Sequence, residues 1–334
     1  MSLSRRTFIA GSALALGGTI GGHTAILASR RLAARADNRI RVATTVGMIG
    51  DLVRNSGGDR VDVTALMGPG IDPHLYKPSA SDIDTLSNAD IVFYGGLHLE
   101  GRMVDTFEGI ERSGKPTFAV SEAIPEDRLL TFDGAPDPHI WFDVSLWALA
   151  LDGVIARMAE TFPDDAETFQ TNGAAYRTEL EALDAYVREQ AARVPEAQRV
   201  LITAHDAFAY FGQAYGFEVR GLQGISTASE AGAGDVQALI DFIVERQIGA
   251  IFVESSVSPA TIEAVREGCR ARGWDVVIGG QLFSDAMGEA GTPEGTYIGM
   301  VTHNIDTIVG ALLGSPAATP VAAAGAGIPT GGRA

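Results

Sequence analysis

His74, His139, His205 and Asp285 stand 65, 66 and 80 residues apart in a chain of 334. Each falls where an apolar strand pattern gives way to a loop. Three imidazoles and a carboxylate fill the coordination sphere of a divalent transition metal; imidazole nitrogen suits zinc and carboxylate oxygen suits manganese. Taken singly, a loop histidine or aspartate is usually a solvated surface group. What joins these four is a shared position, since open α/β sheets bind ligands beyond the C-terminal ends of their strands.

The local contexts sharpen the set. His74 closes Gly68-Pro69-Gly70-Ile71-Asp72-Pro73-His74, and His139 lies in Asp137-Pro138-His139-Ile140-Trp141. Proline restricts itself and the residue before it, so both imidazoles project from stiff loops. His205 follows Val200-Leu201-Ile202-Thr203-Ala204, and Asp285 follows Gln281-Leu282-Phe283-Ser284. Glu254 ends the apolar run Ile251-Phe252-Val253. A buried carboxylate there needs a partner, either a ligand histidine or the backbone of the next loop. His98, in Gly95-Gly96-Leu97-His98, is a candidate accessory group for the same cleft. His303 falls inside a helical pattern and reads as structural, and His23 belongs to the N-terminal leader.

The elements that must position these residues alternate strand with helix, which implies βαβ units on parallel sheets. In the first half, strands are expected at 39–45, 60–67, 91–94 and 117–120, with helices at 46–55, 79–87 and 100–112. In the second, strands are expected at 199–203, 217–222, 250–253 and 275–278, with helices at 207–215, 235–246, 259–272 and 296–313. Between the halves, Pro163 and Pro195 bracket a proline-free stretch in which Phe169, Tyr176, Leu180, Leu183 and Tyr186 recur at helical spacing. About thirty residues give about 45 Å of helix, long enough for a stiff strut between two lobes; Gly173 is its one weak point. The expected division is an export leader at 1–36, a first lobe at 37–162, a linker helix at 163–195, a second lobe at 196–313 and a disordered tail at 314–334, rich in Ser, Pro, Ala and Gly.

Ser4-Arg5-Arg6-Thr7-Phe8 before the apolar run Ile9–Ala28 reads as a twin-arginine export signal, with Ala34-Arg35-Ala36 as the cleavage site. Such export carries folded proteins, so a metal site would be open to filling in the cytoplasm. The mature protein is expected in the periplasm or at the cell surface. The formal charge is −17, and loss of a leader with five arginines and no acids makes it −22. So acidic a chain argues against nucleic acid and anionic membrane and favours cations. The one cysteine, Cys269, excludes an internal disulfide, and its helical pattern points to burial.

In this order, Asp72-Pro73-His74, Asp137-Pro138-His139-Ile140-Trp141, Thr203-Ala204-His205-Asp206-Ala207-Phe208, Ile251-Phe252-Val253-Glu254-Ser255-Ser256 and Leu282-Phe283-Ser284-Asp285 resemble the metal-binding solute receptors of bacterial zinc and manganese ABC importers. The resemblance covers roughly 39–313. It implies two βα lobes joined by one long helix, with the metal held in the cleft by His74, His139, His205 and Asp285. It also implies a monomer that delivers Zn2+ or Mn2+ to a membrane permease and is not an enzyme. Some manganese receptors of the family carry glutamate at the third ligand; His205 resembles members that take both metals. Zinc-dedicated members often carry a histidine-rich loop before the second ligand, and Ser121–Pro136 contains no histidine. Two other functions fit the same residues. A zinc-dependent hydrolase would use an open metal position with Glu254 or Asp206 as general base, though no H-E-x-x-H or His-x-His pair is present. A surface adhesin would hold a structural metal.

Zinc lies above manganese in the intrinsic affinity order, so zinc is expected to show the lower dissociation constant here. Separate titrations with the two metals check this, and tighter manganese binding overturns it. Free imidazole chemistry also sets the expected pH onset, with affinity falling below about pH 6.5.

Overall fold

Short apolar runs separated by amphipathic stretches fold as two sheet-and-helix lobes; the computed structural model describes residues 39–132 and 134–314. The chain divides between Ile40 and Arg41, and both lobes belong to the unit that begins at Arg41. The export leader and the tail lie outside the described residues. No helix among the described residues is long and apolar enough to cross a membrane.

The first lobe carries strands β1 (Ile40–Thr44), β2 (Val61–Ala65), β3 (Ile91–Tyr94) and β4 (Thr117–Ala119), in the order β2-β1-β3-β4. The β1–β3 and β3–β4 pairings are parallel. Helices α1 (Gly47–Gly57), α2 (Ala80–Asn88) and α3 (Val104–Arg112) make the connections. Ser79 and Asp82 close a capping box that starts α2. Helix α3 begins four residues later than expected. Gly96, Leu97 and His98 all take positive φ, and the buried Glu100 accepts from Thr45 Oγ1 (2.5 Å) and Gly95 N (2.7 Å). That turn holds the segment out of the helix.

Two further elements are absent from the sequence-based assignment. One is a two-residue antiparallel hairpin, β5 (Thr131–Phe132) with β6 (Ala135–Pro136). The other is α4 (Val144–Thr161), whose N-cap Asp143 accepts from Ser145 N and Leu146 N. Val144, Leu146, Trp147, Ala148, Ala150, Leu151, Val154 and Met158 of α4 are all buried. With so broad an apolar face, the helical period is weak in the sequence.

The strut is α5 (Ala166–Ala192), preceded by a single 3-10 turn at Pro163–Asp165. Its buried stripe is Phe169, Gly173, Tyr176, Leu180, Leu183, Val187 and Ala191. Tyr186 falls off that stripe, and its hydroxyl donates to Asp306 Oδ1 at 2.7 Å. Gly173 is a close-packing point: a Cβ there would run into Ile155 Cδ1 on α4. The α5 helix packs on α1 and α4 on one side and, further along, on the closing helix α9 (Tyr297–Leu312). Its N-terminal half is thereby fixed to the first lobe and its C-terminal half to the second.

The second lobe pairs β7 (Val200–His205) with β8 (Glu218–Gln223), and β9 (Ala250–Glu254) with β10 (Val277–Leu282), both parallel. Strand β7 lies beside β9. Helices α6 (Ala209–Tyr215), α7 (Ala233–Arg246) and α8 (Ala260–Ala271) complete the units. Ile202 and Ala204 of β7 enter a core with Ile240, Ile251, Val265 and Cys269. By the two-residue alternation of a strand, Leu201, Thr203 and His205 face the other way. Strand β10 runs four residues past its expected end, because the pair Gly279-Gly280 interrupts the apolar run at a register shift.

Leu180 is fully buried at the middle of the strut. Leu180→Ala should lower the unfolding free energy by about 2–5 kcal/mol through lost burial and the cavity left behind. Denaturant unfolding of the metal-free chain measures it, and a loss below about 1 kcal/mol contradicts the packing described.

Candidate metal centre

Both Asp-Pro-His triplets fold as the same local turn. Asp72 Oδ1 accepts from His74 N at 2.8 Å, and Asp137 Oδ1 accepts from His139 N at 2.9 Å. The aspartate bonds the backbone two residues on, and the proline between them fixes the approach. Each triplet therefore presents its imidazole from a closed turn. His205 is the last residue of β7, and Asp285 lies three residues past β10. Asn304 of α9 fixes the strand beyond β10 by accepting from Phe283 N (2.9 Å) and donating to Phe283 O (2.7 Å).

The structure brings all four residues together. One ligand atom from each of His74, His139, His205 and Asp285 lies within 4.8 Å of the other three. His74 Nε2 is 3.4 Å from His139 Nε2. His139 Nε2 is 3.3 Å from Asp285 Oδ1, and His205 Nε2 is 3.4 Å from Asp285 Oδ2. Charge-assisted hydrogen bonds run shorter, at about 2.7–2.9 Å. Four donors set about 2.0–2.1 Å from a tetrahedral ion stand roughly 3.3 Å apart, close to these three distances. His205 Nε2 and Asp285 Oδ1 are buried and have no hydrogen-bond partner among the described residues. The donor set fits a divalent cation.

The far side of the cluster is built from carboxylates. Asp137 Oδ1 also meets His139 Nδ1 at 2.7 Å. Glu254 meets His205 Nδ1 at 2.5 Å through Oε2 and accepts from His205 N at 2.8 Å through Oε1. Of the two roles open to Glu254 from sequence, it is the partner of the histidine. With Nδ1–H directed at a carboxylate, the Nε2 lone pair of each ring faces the centre. Trp141 packs edge-on against His139, with ring centroids 5.2 Å apart.

Electrostatics separate the three imidazoles. Burial alone would lower the His139 pKa, but Asp137 and Asp285 outweigh it and hold the imidazolium up to about 9. For His205 burial opposes the charge too, and Glu254 with Asp285 lifts it well above the usual value. For His74 burial outweighs the pull of Asp285 and, with the neighbouring imidazoles, takes it down to about 4. Burial would raise Asp285, yet the surrounding imidazoles hold it well below the carboxylate range.

Other candidates resolve differently. His98 is exposed on its positive-φ turn and takes no part in the cluster. His303 Nε2 lies 3.0 Å from Gln281 O, a structural bond within the second lobe. Sequence reasoning missed Asp137 as the ring partner of His139; the signal was an aspartate two residues before both His74 and His139.

Comparison with known proteins gives the family. Residues 42–311 match the family described as zinc-uptake complex component A, periplasmic. The chain is 52% identical over 280 residues to the zinc-binding protein TroA of Treponema pallidum, covering 84% of this chain and 91% of that protein. It is 51% identical over 279 residues to the manganese-binding lipoprotein MntA of Bacillus subtilis, covering 83% and 91%. The solved structure of the periplasmic zinc-binding protein TroA from Treponema pallidum superposes with a TM-score of 0.81, over 82% of this chain and 99% of that one. The chain belongs to the periplasmic zinc-uptake component A family, the extracytoplasmic solute receptors of metal ABC importers.

Proposed function

We propose that this chain captures a divalent transition metal through His74, His139, His205 and Asp285 and delivers it to the permease of an ABC importer. The observation that carries the ligand assignment is the meeting of four buried donor atoms at metal-ligand spacing. Two relatives of nearly equal identity are named for zinc and for manganese, and both metals belong to the reading. His205 adds an imidazole that favours zinc; Asp285 supplies oxygens acceptable to manganese.

The finer assignments follow. The functional units are the lobes 37–162 and 196–313, joined by the linker helix 163–195. The receptor works as a monomer, without nucleic acid and without catalysis. The hydrolase reading loses Glu254 as a general base, since both its oxygens are engaged by His205. Nothing favours a surface adhesin. Export is assigned to the twin-arginine motif at Arg5 and Arg6, which lies outside the described residues. The Bacillus subtilis relative is named a lipoprotein, whereas the single cysteine here, Cys269, is buried in α8.

A metal that binds only the folded chain raises its melting temperature. That shift should vanish in the double variant His74→Ala, Asp285→Ala, and its survival would reject the ligand set. The pH profile gives a second test. An imidazole protonated on Nε2 cannot bind metal, so affinity falls as pH drops through the pKa of the metal-free site. With His139 held near 9, the decline should already be under way between pH 9 and 7, well above the onset near 6.5 expected for free imidazole. Isothermal titration across that range checks it; a profile flat down to pH 6.5 contradicts it.

A further inference from the structure

The four ligands are not held alike. His205 and Asp285 stand at the ends of second-lobe strands. The stretch 130–144, which carries His139, comes from the first half of the chain yet is bonded repeatedly to the second lobe. Leu130 N donates to Tyr210 Oη (2.9 Å), and Tyr210 Oη donates to Asp137 O (3.1 Å). Trp141 Nε1 donates to Ser284 O (3.1 Å), and Tyr297 Oη donates to Trp141 O (2.7 Å). Val144 N donates to Tyr215 Oη (3.3 Å). These bonds fasten His139 beside His205 and Asp285 before any ion arrives.

His74 stands apart. Among the described residues, one side-chain hydrogen bond crosses from its loop, 68–77, to the second lobe: Thr227 Oγ1 donates to Asp72 Oδ2 at 2.5 Å. The other oxygen of the same carboxylate accepts from His74 N. Thr227 is itself buried, in the loop after β8. One carboxylate thus sets the backbone of His74 with one oxygen and is gripped from the opposite lobe through the other.

Resting on the metal-receptor reading above, we infer that His74 is the moving ligand and that the Thr227 hydroxyl is the catch that holds it closed over the metal. Thr227 touches no ligand side chain and acts through Asp72, so it is a positioning residue. Without it, three ligands stay assembled and the fourth loses its tie to the far lobe. Metal should then leave sooner, because the His74 loop opens more readily.

The test compares the full chain with Thr227→Val, which keeps the shape and removes the hydroxyl, and Thr227→Ser, which keeps the hydroxyl. Zinc-loaded protein is mixed with excess chelator and release is followed by stopped flow. Thr227→Val should release zinc roughly tenfold faster or more, the scale of one hydrogen bond to a charged group. Thr227→Ser should release at the wild-type rate. Equal release by Thr227→Val and wild type, or release by Thr227→Ser as fast as by Thr227→Val, overturns the catch. Hydrogen exchange on the metal-free chain supplies an arm that needs no metal. Amides of 68–77 should exchange faster than those of 139–147, and Thr227→Val should accelerate the first stretch alone; uniform acceleration or none rejects the proposal. A wild-type chain that binds no zinc or manganese defeats the functional reading instead, and the exchange data still decide the catch.

Discussion

Asp285 is fully buried, and so are the three imidazoles around it. A carboxylate taken out of water must be paired, or it costs more free energy than a domain can spare. Everything else in the molecule can be read as meeting that demand. The imidazoles supply positive charge from the front. Asp137 and Glu254 stand behind His139 and His205 and make that charge available. An arriving dication takes over the role that protons fill in its absence, so capture and charge compensation are one event.

The demand propagates outward. Ligands from four separate stretches hold a common spacing only if their carriers are rigid. Here that rigidity comes from the Asp-Pro-His turns, from the end of β10 whose next residue is clamped by Asn304, and from a strut with a buried stripe running its whole length. Gly173 shows how close the packing is, since even one methyl would press on Ile155. The lobes are therefore built to vary little in separation, and adjustment is left to loops.

Much of this was legible in the sequence because it depends on local chemistry. His74, His139, His205 and Asp285 announce themselves by residue type and by position after apolar strands, and the strut by its stripe between Pro163 and Pro195. Other features were hidden for definite reasons. Helix α4 is buried over too much of its surface to show a clean period. The end of β10 is masked by two glycines. His98 reads as a cleft residue until the positive φ of Leu97 and His98 turns it outward. The bond from Thr227 to Asp72 joins residues 155 apart, and no local pattern encodes it.

The stiffness of the strut has a consequence for recognition. Lobes that cannot swing far leave little global difference between a loaded and an empty receptor. What differs is then local: Ile71 and Leu75, on either side of His74, are exposed, so a shift of His74 is carried directly to the surface. Between two binding events, coupling through so local a change is modest, about 1–3 kcal/mol or some 5–150-fold.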